Sequence, residues 1–371
     1  MCKILLLFDQ KENRRLLAEW LATKHEVISC DNDEAIQGSF DLCIVDGHAL
    51  DRLLTRIGER KDAEHPVFLP VLLATSRHGV RLVNRHLWQC VDESITSPIE
   101  KAELQARVEI LLRARRLSRE NSDLLRQIED ELQHAATVQA DLLPTQIPAL
   151  PGFEIAARSV PARVVGGDFY DWQQLDAGTL TFTVGDAMGR GMSAALLMAT
   201  VRAAVRTVAR MNKPATTLEM VRMGLEADLV RTSGFVTLFH GELDIPTGRL
   251  RYVDAGHAHL FVLHNDGTHE DLKPRCAAIG IPLGKPYREG VFTFHEGDAL
   301  IIYTDGILDA NPDIGLDHAA LGRLIQSCHK VDEMVDRLVA IATAETPEPE
   351  DDATAFVLRM KRTHTPAVRK H

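Results

Sequence analysis

The sequence predicts a multidomain chain: an α/β domain with a doubly wound parallel sheet, a long helical linker, and an α+β domain of antiparallel strands flanked by helices. Three observations predict it. Over residues 1–113, short apolar runs alternate with helix-period stretches, the pattern of repeated βα units. No proline interrupts the chain between Pro98 and Pro144, and apolar residues recur there in heptads. From Phe153 onward, runs of period two dominate, and several end beside an aspartate.

In the first domain, strands are expected at Lys3–Phe8, Glu26–Cys30, Asp41–Val45, Val67–Ala74 and Cys90–Ile95. Helices are expected around Asn13–Thr23, Asp33–Gln37, Ala49–Arg60 and Gly79–Leu87, with a fifth starting at Pro98. Five βα units in this length resemble a response-regulator receiver domain, where function sits at the carboxyl ends of the strands. The resemblance implies that Asp46, in Cys43-Ile44-Val45-Asp46-Gly47, holds the phospho-acceptor position. It puts Thr75 at the switch hydroxyl and Asp9 at the metal-binding acidic pair, whose second member is here Gln10. The lysine that precedes the proline in that family is Ser97, before Pro98. One carboxylate fewer weakens Mg²⁺ binding, and a missing ammonium leaves an acyl phosphate unpaired. Two readings stand: a phosphorylatable input domain served by a sensor histidine kinase, or a degenerate receiver kept for docking or dimerisation.

Residues 114–143 read as the linker. With heptad position d at Ile110, Leu117, Leu124, Glu131 and Val138, position a falls on Ala114, Asn121, Ile128, Ala135 and Leu142. That describes a two-stranded coiled coil with Asn121 setting register and Glu131 weakening it locally, and so a homodimer. An amphipathic helix packed on its own domain is the alternative. Pro144, Pro148 and Pro151 then mark an extended boundary.

The third domain, 144–362, is organised around Val165–Gly191. Gly166-Gly167-Asp168-Phe169-Tyr170-Asp171 and Thr179–Val184, closing on Gly185-Asp186-Ala187-Met188-Gly189-Arg190-Gly191, read as a hairpin with an aspartate on each strand. Helical segments between Met192 and Val230 split near Asn212-Lys213-Pro214. Two or three antiparallel strands are expected over Phe235–Leu263, and single strands at Val291–Phe294, Ala299–Tyr303 and Thr354–Met360. Val331–Thr343 reads as a helix, Thr346–Asp352 as a loop, and 363–371 as a disordered tail. Tyr303-Thr304-Asp305-Gly306 and Asp351-Asp352-Ala353-Thr354 bring further carboxylates to strand ends. Gathering carboxylates is costly unless a divalent cation neutralises them.

Taken in order, GGDFYD, GDAMGRG followed by AALLMA, FVTLF, DAGHA, PLG, YTDG and DDAT resemble the metal-dependent PPM-type serine/threonine phosphatases, in the sporulation- and stress-regulator branch. The resemblance covers roughly residues 133–360. It implies a sandwich of two antiparallel sheets with helices outside, and two divalent cations, Mn²⁺ or Mg²⁺, at one end. By matching motifs, Asp168 and Asp186 would bridge the metals, the Ala187 carbonyl would ligate one, and Asp305 and Asp351 would complete the site. Asp352 is a further ligand candidate or a partner behind the ligands. The reaction implied is direct attack of a metal-bridging water on a phosphoserine or phosphothreonine, without a phosphoenzyme. The substrate implied is a phosphorylated anti-sigma factor antagonist. Asp171 reads as a local cap or pairing residue, His257 and His259 as structural with a general acid as the alternative, and Arg163 as a surface arginine with a substrate-phosphate contact as the alternative.

Composition narrows the alternatives. A net charge of −11 makes the chain a poor non-specific nucleic-acid binder. Six scattered cysteines without CxxC spacing read as reduced thiols. No signal peptide or run of about 18 apolar residues is visible, so a cytoplasmic location without a membrane span is expected. The rival to an enzyme is a non-catalytic adaptor that binds a sigma-regulator partner, whose mark would be loss of the metal aspartates. A third reading, hydrolysis of a phosphorylated metabolite, is separable by substrate panel.

Overall fold

The computed structural model describes residues 1–29, 33–76, 90–281, 285–309, 317–344 and 349–362. It divides into two compact units, Met1–Asp130 and Glu131–His371. The first begins β1 (Lys3–Leu7), α1 (Lys11–Leu21), β2 (Glu26–Ser29), β3 (Leu42–Asp46), α2 (Gly47–Glu64), β4 (Val71–Ser76) and β5 (Glu93–Ser97). Its strands are all parallel, in the order β2-β1-β3-β4-β5. This is the doubly wound order with a switch point between β1 and β3. Near-continuous apolar runs such as Ile4–Leu7 are buried because helices cover both faces.

Differences from the sequence reading have local causes. Asp33–Gln37 is a 3₁₀ turn rather than an α-helix, being too short to close repeated α-type bonds. β4 starts after Pro70, which has no N–H to donate to a central strand. β5 starts three residues later than expected and ends two residues later. The helix expected at Gly79–Leu87, Cys30 and the tail 363–371 lie outside the described residues.

A 42-residue helix, α3 (Lys101–Leu142), starts three residues after Pro98. In the first unit Leu104, Val108, Leu111 and Leu112 pack on the sheet. Arg115, 1% exposed, donates to the Phe68 carbonyl at 2.8 Å and to Glu64 at 2.7 Å. A different stripe, Ile110, Leu117, Leu124, Ile128 and Val138, is exposed. The helix therefore has both faces that the sequence left as alternatives.

The second unit continues with β6 (Phe153–Val160), β7 (Asp168–Gln174), β8 (Thr179–Ala187), α4 (Met192–Val208), α5 (Pro214–Thr232), β9 (Val236–Asp244), β10 (Arg249–Ala255) and β11 (Leu260–Leu263). Then come β12 (His269–Glu270), β13 (Arg275–Cys276), β14 (Gly290–Thr293), β15 (Ala299–Tyr303), α6 (Gly306–Asp309), α7 (His318–Ile325), α8 (Val331–Ala342) and β16 (Ala353–Met360). One sheet runs β13-β10-β9-β8-β7, with β14 also on β10; the other runs β12-β11-β15-β16-β6. Pairing is antiparallel except at the two-residue β13.

The alternation of each strand assigns its two faces. Leu300, Ile302, Phe356 and Leu358 meet Phe182, Phe239, Leu250 and Tyr252 of the other sheet in a shared core. Ala299, Ile301, Tyr303, Ala355 and Val357 point the other way and pack under α6, α7 and α8. Phe169, Leu238 and Val253 pack under α4 and α5. The result is a two-sheet sandwich with helices on both outer faces. α6, α7, β6 and the two-residue strands were not singled out in the sequence.

Candidate active site

β7 and β8 pair in a register that sets Asp168 directly opposite Asp186. Facing like charges on neighbouring strands are destabilising in water, and more so when buried. The other sheet brings its ends to the same place. Asp305 follows β15 through Thr304, and Asp351 precedes β16. Thr304 fastens the sheets together: its hydroxyl donates to Asp168 at 2.7 Å and accepts the Thr354 N–H at 2.8 Å. Gly306 is required here, since a Cβ would collide with the Asp352 backbone.

The two aspartates of the DDAT motif separate into different roles. Asp352, 8% exposed, accepts the N–H of Ala162 at 2.8 Å and of Gly167 at 2.6 Å, one on each oxygen. It clamps the loop that leads into Asp168. Asp351 pairs with Arg190 at 2.7 Å and accepts the Asp352 N–H at 2.9 Å. Ala187 ends β8 and donates its N–H to the Gly167 carbonyl at 3.2 Å. The Ala187 carbonyl lies so close to Gly167 that a Cβ there would clash.

The electrostatics are those of unneutralised charge. Burial, then Asp186, push the Asp168 carboxyl well above the usual range. Burial, then Asp305, Asp351 and Asp352, push Asp186 up to about 7. Asp305 is raised by burial and by Asp309. Among the described residues, no three His, Cys, Asp or Glu side chains already enclose one metal position. The donor set nonetheless fits hard divalent cations: it is all oxygen, and its carboxylates, Asp168 buried and the others half-buried, repel one another.

The neighbouring residues fall into place. Asp171 pairs with Arg206 at 2.6 Å and Arg202 at 3.4 Å on α4. Burial drops His257 to about 3, and His259 is also lowered, chiefly by burial. Burial thus disfavours the imidazolium form of both rings. Arg163 is exposed. Sequence reasoning assigned no role to Thr304, Arg190 or Gln139. Thr304 could have been found from its place inside the YTDG motif; a single arginine between glycines carries no such signal.

In the first unit, Asp46 is the N-cap of α2. Its oxygens accept the Ala49 N–H at 2.8 Å and the Asp9 N–H at 2.9 Å. Asp9 is paired with Arg52 at 2.9 Å. A cleft of about 870 Å³ at the strand ends is lined by Asp46, Thr75, Ser97 and Trp20. Lys101 is also among the residues that line it, three residues beyond Pro98.

Fold and site together define a phosphatase domain of the PP2C type. The model of the family described as Stage II sporulation protein E (SpoIIE) matches residues 176–361, half of the chain, and the chain belongs to that family. The match takes in Asp186, Asp305, Asp351 and Asp352 and begins after Asp168. Phosphoserine phosphatase RsbU of Bacillus subtilis is 28% identical over 241 residues, covering 63% of this chain and 71% of RsbU. Protein IcfG of Synechocystis is 31% identical over 209 residues, 48% of this chain, but the match spans only 33% of IcfG. Among solved structures, the SiaA-PP2C domain of Pseudomonas aeruginosa aligns with TM-score 0.53 at 24% identity, over 64% of this chain and 98% of that domain. The RsbU and RsbW domains of a Mycobacterium tuberculosis protein align with TM-score 0.50 at 24% identity, over 59% of this chain and 63% of theirs. Among the described residues, no helix is long and apolar enough to cross a membrane.

Proposed function

We propose that the C-terminal unit is a metal-dependent protein serine/threonine phosphatase acting on a phosphorylated partner, an anti-sigma factor antagonist by the family resemblance. One observation carries the reading: Asp168 and Asp186 stand in direct register, with Asp305 and Asp351 delivered to the same end by the facing sheet. Asp168, Asp186, Asp305, Asp351 and the Ala187 carbonyl are the groups that would hold two cations, Mn²⁺ or Mg²⁺. When bound, such cations supply Lewis acidity, lowering the pKa of water and neutralising phosphate oxygens. The chain's own residues do the positioning. Thr304 orients Asp168, and Asp352 fixes the backbone ahead of it. Arg190, on a glycine-flanked turn and paired with Asp351 at 2.7 Å, brings a guanidinium to the edge of the site.

The test is phosphate release from a phosphomonoester and from a phosphoserine protein by the full chain. It is run with Mn²⁺, with chelator, and with Asp186→Asn in parallel. Metal-dependent release lost in the variant supports the enzyme. No release by the full-length protein and by a fragment from Gln133 alike would move the reading to a binding adaptor; release by the fragment alone would make the preceding residues an inhibitory switch. A panel of phosphorylated metabolites separates the small-molecule alternative.

For the N-terminal unit, the capping role of Asp46 favours a receiver-derived docking module over a phosphorylated input domain. Both Asp46 oxygens are already engaged by backbone N–H groups. The exposed stripe on α3 supports a homodimer through a coiled coil. Incubation with acetyl phosphate, read by intact mass, tests the first point: a stable +80 adduct lost in Asp46→Asn would restore the phosphorylation reading, with a histidine kinase upstream. Cytoplasmic location follows from the same family reading.

A further inference from the structure

The backbone that enters Asp168 has no strand to lean on. Between the end of β6 at Val160 and the start of β7 at Asp168, the chain is irregular. Yet Gly166 and Gly167 are buried, and a buried peptide group must find a partner. Gly167 finds two: Asp352 takes its N–H, and the Ala187 N–H reaches its carbonyl. Gly166 has nothing of the kind from the sandwich. Both of its backbone groups are taken by one side chain, Gln139, near the end of α3. The Gln139 amide nitrogen donates to the Gly166 carbonyl at 2.6 Å, and its oxygen accepts the Gly166 N–H at 3.1 Å.

This arrangement mimics a strand partner. A side-chain amide is the group that can donate and accept in parallel to one residue. Glutamate can accept but not donate at neutral pH, and leucine can do neither. Asparagine is a methylene too short. On its other side Gly166 is pressed against the Asp352 carboxylate, so a Cβ there would collide with it. The segment is thus held between the residue just before the last strand and a residue of the linker helix, two positions ahead of a proposed metal ligand.

We infer that Gln139 is a positioning residue for the metal site: it fixes the Gly166 peptide and through it Asp168, making the last turns of α3 part of the site rather than a tether. This rests on the metal-dependent reading above. A residue of this kind, which orients a ligand without touching the ion, changes metal affinity by about 10–100-fold when removed.

The experiment uses the full chain in wild-type form and as Gln139→Leu, Gln139→Glu and Gln133→Leu. Gln133 is an exposed position on the same helix and serves as the control. Mn²⁺ binding is measured by calorimetry, amide exchange by mass spectrometry over residues 162–168, and unfolding temperature in chelator. Gln139→Leu is expected to weaken Mn²⁺ binding by at least tenfold and to speed exchange in that segment. Gln139→Glu falls between it and wild type, and Gln133→Leu matches wild type. A loss of stability without a loss of Mn²⁺ affinity marks Gln139 as structural only and overturns the inference. So does wild-type affinity with wild-type exchange. Should Gln139→Leu fail to fold, Gln139→Glu carries the same comparison. If wild type itself binds no Mn²⁺, the metal reading fails, and exchange at 162–168 alone decides whether Gln139 holds the loop.

Discussion

Asp186→Asn and Asp352→Asn, made in the same acidic cluster, are expected to move stability in opposite directions when the protein is held in chelator. Asp186 is surrounded by Asp305, Asp351 and Asp352, and its carboxyl is pushed up to about 7. A rise of about three units from the ordinary ~3.9, at 1.36 kcal/mol per unit, bounds the cost of its charge at about 4 kcal/mol. Part of that is screened, so removing the charge at pH 8 should stabilise the chelated protein by about 1–3 kcal/mol. Asp352 sits among the same neighbours but spends both oxygens on backbone N–H groups, at 2.8 and 2.6 Å. Asparagine keeps one acceptor and turns an NH₂ toward the other N–H. Hydrogen bonds to a charged group are worth about 1.5–3 kcal/mol each, and a stranded buried donor costs about 1–3 more. That exceeds the relief of repulsion, so Asp352→Asn should destabilise by about 1–3 kcal/mol. The assay is urea unfolding with and without chelator. The sign for pH also follows. Because the folded pKa of Asp186 lies above its unfolded value, chelated wild type should lose stability as pH rises from about 4 to 7, and Asp186→Asn should flatten that slope. Equal destabilisation by both variants would refute the argument, because it would mean that Asp186 is as well bonded as Asp352.

Three further outcomes are expected. Phe356, fully buried, stacks on Phe182 at 5.0 Å between the two sheets, so Phe356→Ala should cost about 3–5 kcal/mol by urea unfolding. Asp46→Ala removes the α2 cap and should lower the stability of the N-terminal unit by about 0.5–2 kcal/mol, read by circular dichroism of fragment 1–130. If that fragment does not fold, the full chain serves. Asp298, then Glu270, raise the pKa of His264 against the opposing effect of burial. Its contribution is therefore complete below about pH 6.5 and is lost as pH rises through the higher folded value. His264→Gln should remove that share of the decline, seen by comparing unfolding midpoints at pH 6 and 8.

What the sequence could disclose was decided by how each feature is encoded. The hairpin, the α4–α5 split at Pro214 and the strands β9, β10, β15 and β16 rest on periodicity and on glycine or proline punctuation, which are local signals. The aspartates were legible because short motifs keep them beside strand ends. β6 was missed because Glu154 and Arg158 interrupt its apolar pattern; they serve it by pairing with Arg359 and Asp336. α7 carries a plain helical face, but it follows a segment with no start signal beyond Asp317, its N-cap. Asp46 was read from its place at a strand end, correctly located in β3. Its capping bond was not legible, since it depends on α2 beginning at the very next residue.

The roles that stayed hidden share a physical cause. Thr304, Asp352 and Gln139 act on backbone groups far away in sequence: Asp352 on Ala162 and Gly167, Gln139 on Gly166, Thr304 on Thr354. Backbone groups are alike at every residue, so nothing in the sequence marks which N–H will be left without a strand partner. The irregular approach to Asp168 creates that need, and three places answer it: Gln139 on the linker helix, Ala187 at the end of β8 and Asp352 just before β16. Opposed buried carboxylates drive the site apart, while these hydrogen bonds hold its backbone in place. The site's geometry before any cation arrives is the outcome of that balance, so variants of the clamps and variants of the ligands should differ in the sign of their effect on stability while agreeing in their effect on metal binding.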